Sequence, residues 1–353
     1  MRVVAKIGTA SITDAKGAIE RSAIAKLCDE VGDLRKQGHE VIVVSSGAVA
    51  AGVAAVGLSE RPADLPTLQA ISAAGQSRLV EAYNQELGRH GLVGAQLLVS
   101  AMDFIMRNQY LHLRSTINRL LELGCVPIVN ENDAIANDEL RYGDNDRIAA
   151  MIANSVNAAV LVLLTDMDGV FTADPRIDSS ATLVPLVRAD DPLLSITADA
   201  GGSGRGSGGM ASKLVAARMA SWSGIRSVIA RASRDGVLSG SVSDEVVGTT
   251  FEAHDRRLSA RKLWIAFAAE PAGTVFVDSG ARAALTDRPT SLLPAGITRV
   301  VGAFESGQVV EISDGDTVFA RGLASMASAE MADVAGVSGV RHVVHRDDFV
   351  LFA

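Results

Sequence analysis

Lys6 lies in AKIGTAS, residues 5–11, and Lys213 closes GSGGMASK, residues 206–213; each is a cation set in a turn of small residues. If the fold brings the two ammonium groups together, they form a clamp for a transferring phosphoryl group, whose charge must be neutralised as it moves. Glycines beside them let backbone N–H groups approach phosphate oxygens closely. Further small, polar turns are Gly8-Thr9-Ala10-Ser11, Ser45-Ser46-Gly47, Asn130-Glu131-Asn132-Asp133 and Thr165-Asp166. Ser46, Asp133 and Asn145 together offer acceptors for an ammonium and donors for carboxylates, which suits a small substrate carrying both. Asp146, which closes YGDND at 142–146, is placed to hold the two lysines without attacking anything itself. The plainer reading of YGDND is N-capping by Asp144 or Asn145 of a helix over residues 147–156.

Residues 200–210 hold six glycines and run into a helical pattern with Met210, Leu214, Ala217 and Met219 inward and Lys213 in the first turn. A flexible linker does not end in this way, so a phosphate-cradling loop is the sharper reading. A GxGxxG match falls at Gly204, Gly206 and Gly209, but no clear strand feeds it and no acidic strand end follows, so a dinucleotide site is weakly supported. No Walker A sequence occurs. His39, His90, His112 and His254 are scattered, without a second group at triad spacing, and are expected on the surface. Cys28 and Cys125 are expected as buried thiols rather than as a disulfide or zinc ligands.

The elements that must position these residues read as an α/β domain. Strands are expected at residues 3–7, 41–45, 93–99, 126–130, 160–165 and 226–230, with helices between them. In the helix over 23–37, Ile24, Leu27, Val31 and Leu34 recur at helical spacing and Gly38 supplies the stop. The turns above then fall at the carboxyl ends of strands in an open, mainly parallel sheet, where ligands bind. A helix opening at Ala48 would add its positive N-terminus.

With 353 residues and 48% apolar content, the chain has enough for two domains and a sizeable core. A formal net charge of −8 argues against a nonspecific nucleic-acid or membrane surface. No apolar run exceeds residues 158–164, too short to cross a bilayer, and MRVVAKIG has no signal-peptide pattern. The chain is expected to be soluble and cytoplasmic, without a membrane partner.

VAKIGTAS, VVSSGAVAAG (43–52), PIVNENDAIA (127–136), YGDND, LLTDMDGVFTADPR (163–176) and GSGGMASK resemble the glutamate 5-kinases of the amino acid kinase superfamily. The order NENDAIA, GDND, TADPR is specific to the glutamate enzymes. The resemblance implies ATP-dependent phosphorylation of the L-glutamate side-chain carboxylate, the first step of proline synthesis. It implies Lys6, Lys213 and Asp146 as catalytic residues and Ser46, Asp133 and Asn145 as the glutamate site. Lys6, Gly8, Thr165, Asp166 and the run Ser207, Gly208, Gly209, Met210, Ala211, Ser212 and Lys213 would hold ATP. Magnesium would ride on the nucleotide phosphates, with no protein metal site. A homo-oligomer, feedback inhibition by proline and direct transfer of product to glutamyl phosphate reductase are further expectations. Acetylglutamate, aspartate, carbamate or nucleoside monophosphate kinases share the lysine clamp but fit Asp133 and Asn145 less well.

Past residue 252 the texture changes. Residues 253–270 read as a charged linker between a kinase domain at 1–252 and a small β-rich domain at 271–353. Short strands are expected at 274–277, 299–301, 309–312 and 342–344. SLLPAGITRVVGAFESGQVVEI and VVHRDDFVLF resemble PUA domains, many of which bind RNA. Residues 271–353 carry six Arg and no Lys against ten Asp or Glu, so RNA binding is disfavoured and a structural or regulatory role is expected.

Overall fold

The computed structural model describes residues 1–14, 18–100, 102–135, 145–194, 208–243, 245–288, 290–339 and 341–352. The described residues within Met1–Asp191 and Gly206–Arg257 form one compact unit, and those within Pro192–Arg205 and Leu258–Ala353 a second.

The first unit holds β1 (Arg2–Ile7), α1 (Arg21–Lys36), β2 (Glu40–Ser45), α2 (Ala48–Ala55), α3 (Leu65–Gly88), β3 (Gly94–Val99), α4 (Met102–Ile105), α5 (Arg107–Glu122), β4 (Val126–Glu131), α6 (Asn145–Ser155), β5 (Val160–Thr165), β6 (Leu186–Val187), α7 (Gly208–Ser221), β7 (Arg226–Arg231), α8 (Val237–Val242) and β8 (Gly248–Phe251). Among the described residues the strands form one sheet in the order β3-β4-β2-β1-β5-β7-β8-β6, parallel except for the β7–β8 pair. Strands β1, β2, β4 and β5 are near-continuous apolar runs because helices cover both faces of the sheet. β1 pairs with β2 on one side and β5 on the other. The chain therefore leaves β1 in one direction and returns on its far side, and the crevice at the carboxyl ends of these strands is the natural ligand position.

Helix α1 buries Ile24, Leu27, Val31 and Leu34, and Gly38 ends it with φ of 83°. Helices α2 and α3 touch backbone to backbone: a Cβ on Gly52 would lie 1.8 Å from the Ile71 carbonyl oxygen, and one on Gly75 would lie 1.9 Å from that of Ala48. This contact fixes the start of α2 and with it Ser46 and Gly47, the latter at φ of 96°. α7 begins at Gly208, so Lys213 sits in its second turn rather than its first. Its buried stripe is Val215, Ala216, Ala217, Met219 and Ala220, while Met210 and Leu214 are only half-buried.

The second unit holds α9 (Ala260–Leu263), a π-helical turn at Trp264–Ala268, β9 (Gly273–Val277), α10 (Ser279–Asp287), β10 (Ile297–Val301), β11 (Val309–Ser313), β12 (Val318–Ala324), α11 (Ser328–Asp333) and β13 (Val344–Leu351). Its sheet runs β10-β9-β11-β12-β13, with only β9 and β11 parallel. The stretch expected as a linker thus contains helix, and Leu263, Ile265 and Phe267 within it are buried. The strand expected at 342–344 is instead β13, which starts at Val344. β12 lies outside the expected strands, since Arg321 and Gly322 interrupt its apolar pattern.

Candidate active site

A cleft of about 770 Å³ is lined by Lys6, Gly8, Ser46, Asp133, Asn145, Asp146, Thr165, Asp166, Gly209, Met210, Ser212 and Lys213. Residues expected to act together but spread over two hundred positions thus share one cavity. Gly208 and Ala211 lie in the first turns of α7, Ala211 without lining the cleft, and Ser207, Asp144 and the rest of the glycine-rich loop lie outside the described residues.

The centre of the cleft is the Asp146 carboxylate, presented by the first turn of α6 and only 1% exposed. Lys6, reaching from β1, places Nζ 2.6 Å from its Oδ1. Lys213, reaching from α7, places Nζ 3.1 Å from Oδ2 and also donates to the Gly209 carbonyl at 3.2 Å. Ser212 Oγ donates to the same Oδ2 at 2.6 Å. The two lysines therefore meet on one carboxylate, away from bulk water. Burial alone would raise the Asp146 pKa, but Lys6 and Lys213 outweigh it and hold the carboxyl below its ordinary value of 3.8. Such a cluster attracts anions, and Gly8 leaves room for one: a Cβ there would lie 3.5 Å from Lys6 Nζ.

On the β2–β4 side, Asn145 Nδ2 donates to Ser46 Oγ at 3.1 Å, and its Oδ1 accepts the Glu131 N–H at 3.2 Å. Its carboxamide thus ties the ends of two strands together across the cleft. Asp133 Oδ2 accepts from Ser72 Oγ of α3 at 3.1 Å, which fixes a carboxylate on the same rim. On the β5 side, Thr165 Oγ1 donates to Asp166 Oδ1 at 3.0 Å. Arg231, in register with Thr165, grips Asp168 at 2.6 and 3.1 Å and pins the turn after β5.

Ser72 and the cleft-lining loop residues Ser59, Glu60 and Arg61 escape the sequence reading. Ser72 carries no local signal, because its partner is 61 residues away. His90 and His254 are not the free surface residues expected. His90 is half-buried against Gly32, where a Cβ would lie 2.6 Å from its Nδ1, and bonds Asp29 at 2.7 Å; His254 stacks on Trp222 at 4.1 Å. Cys28 is buried, which pushes its thiol up to about 12, while Cys125 is only half-buried.

The model of the amino acid kinase family matches residues 1–231. The chain belongs to the amino acid kinase family. Within it, the glutamate 5-kinase of Frankia casuarinae is 45% identical over 364 residues, covering 99% of this chain and 96% of that protein. The glutamate 5-kinase of Trichlorobacter lovleyi is 43% identical over 364 residues, 100% of this chain and 97% of that protein. That of Pelobacter propionicus is 40% identical over 362 residues, 99% and 97%. Identity at this level over whole chains places this kinase among the glutamate 5-kinases. The PUA domain model matches residues 273–345, beginning at the first residue of β9. No helix among the described residues is long and apolar enough to cross a membrane.

Proposed function

We propose that this kinase transfers the γ-phosphoryl group of ATP to the side-chain carboxylate of L-glutamate. The observation that carries the reading is the meeting of Lys6 and Lys213 on Asp146 at the open end of β1. A carboxylate oxygen of glutamate attacks the γ-phosphorus, the bond from phosphorus to the bridging oxygen breaks, and ADP leaves with the electron pair. The acceptor is already ionised at neutral pH, so no proton has to move and no general base is needed. Negative charge shifts across the transferring oxygens, and Lys6 and Lys213 neutralise it from fixed positions. Asp146 keeps the two ammonium groups aimed and close despite their repulsion. Gly8 and Gly47 give backbone donors, Ser46, Asp133 and Asn145 hold glutamate, and Thr165, Asp166 and residues 207–213 hold ATP.

Magnesium fits as a passenger on the nucleotide. A nucleotide-borne magnesium ion is held mainly by phosphate oxygens and water and requires few protein ligands, which the Asp166 carboxylate lining the cleft could supply. When bound it would screen phosphate charge. The cytoplasm, where ATP and glutamate are available, is the proposed location.

The test is ADP release from ATP with a panel of L-glutamate, N-acetylglutamate, aspartate, carbamate and UMP, with hydroxylamine present to trap an acyl phosphate. Hydroxamate formation confined to glutamate, and lowered by added proline, is the expected result. Turnover of another acceptor at a rate equal to or above that of glutamate would overturn the assignment.

A further inference from the structure

The charges of a glutamate bound in this cleft do not balance with the residues so far assigned. Its side-chain carboxylate faces Lys6 and Lys213, and its ammonium suits the Asp133 carboxylate. The second, α-carboxylate is left with Ser46 and Asn145, which are neutral and already bonded to each other. Of the cleft-lining residues, Lys6, Lys213 and Arg61 are the only cations among those described, and both lysines are held by Asp146.

Arg61 is exposed and makes no ion pair or hydrogen bond with a described residue, although Glu60 is its chain neighbour and Glu131 and Asp133 line the same cleft. It stands on the loop between α2 and α3. α2 departs from the end of β2 beside Ser46, and α3 carries Ser72, which holds Asp133. The loop therefore belongs to the β2–β4 side of the sheet, where Ser46, Asp133 and Asn145 lie, and not to the Thr165–Asp166 side beyond β1. A guanidinium presents paired N–H donors that match a carboxylate, and one without a protein partner keeps them all available.

We infer that Arg61 binds the α-carboxylate of the acceptor and makes the enzyme select amino acids with a free α-carboxylate. The inference rests on the glutamate reading above and deepens it. Arg61 acts on recognition rather than on the transfer step, because the α-carboxylate carries the same charge in the ground state and the transition state.

The experiment compares L-glutamate with L-isoglutamine, which keeps the reacting side-chain carboxylate but has a carboxamide in place of the α-carboxylate. Wild-type enzyme is expected to prefer glutamate strongly. In Arg61→Ala the KM for glutamate should rise about 30-fold, as for loss of one hydrogen-bonded charge pair. The KM for isoglutamine and for ATP should stay within twofold, so the preference collapses. Arg61→Lys should restore part of it by charge alone. An Arg61→Ala enzyme with glutamate KM within twofold of wild type and an undiminished preference would overturn the inference. A wild-type enzyme that does not turn over glutamate at all would overturn the underlying assignment, and this inference would fall with it.

Discussion

Two buried cation–carboxylate groups, one in each unit, are built to different charge balances. Asp146 in the first unit is shared by two cations, Lys6 and Lys213, and it faces a cleft. In the second unit Arg321, 3% exposed, pairs with Glu311 at 2.9 Å. It also bonds the Ala266 carbonyl, in the π-helical turn, at 3.1 Å. These bonds tie the small sheet to the π-helical turn beside it. Two cations gathered on one buried carboxylate are costly unless an anion joins them, which makes the Asp146 cluster a candidate binding and catalytic device.

The largest effect that could break this contrast is at Asp146. Asp146→Ala should abolish measurable turnover, and it should destabilise the kinase unit by about 3–5 kcal/mol because two buried ammonium groups lose their shared partner. Full activity in this variant would refute a positioning role. Arg321→Met should cost up to about 3–5 kcal/mol in denaturant unfolding of the second unit, yet leave kcat nearly unchanged; adding Glu311→Leu should recover most of the loss. A fall in kcat without a change in stability would make Arg321 part of the mechanism. Ser72→Ala should raise the KM for glutamate about 3- to 10-fold by removing the Ser72 bond that positions Asp133, with the KM for ATP unchanged.

The pH dependence of stability sharpens the comparison inside the kinase unit. Asp146 has its pKa lowered, so its contribution is present above its ordinary 3.8 and is lost only as pH falls through the lowered folded value. Glu30, which receives the Val237 and Leu238 N–H groups at 3.3 and 2.7 Å, is pushed above its ordinary 4.5 by burial. Its contribution is complete below 4.5 and is lost as pH rises through the raised value. Urea midpoints measured across pH should therefore lose their acid limb in Asp146→Asn and rise on the higher-pH side in Glu30→Gln. The smallest effect is expected from the exposed Arg119–Glu122 pair, whose removal should leave the melting temperature unchanged.

Much of the site is legible because parallel strands announce themselves. Runs such as VLVLLT are buried on both faces, and the turn after each of them falls on the ligand edge by topology alone. Lys6 and Lys213 stand out as charges beside glycines, and the chain order of their elements brings them together. Three kinds of feature stay hidden. The start of α7 reads as loop because Gly208 and Gly209 are poor helix formers, so only the structure places Lys213 in the second turn. β12 is masked by a buried arginine whose partner lies on a neighbouring strand. Ser72 and the packing of His90 depend on contacts between distant segments, and Arg61 on where its loop falls beside the cleft, for which local spacing gives no signal.

The central claim is that the paired lysines act on the moving phosphoryl group and not on substrate capture. Steady-state kinetics of Lys213→Ala, with glutamate and ATP each varied, tests it most directly. kcat is expected to fall by about 10²- to 10³-fold with the glutamate KM changed less than threefold, because the charge is needed most in the transition state. A raised glutamate KM with kcat intact would contradict it.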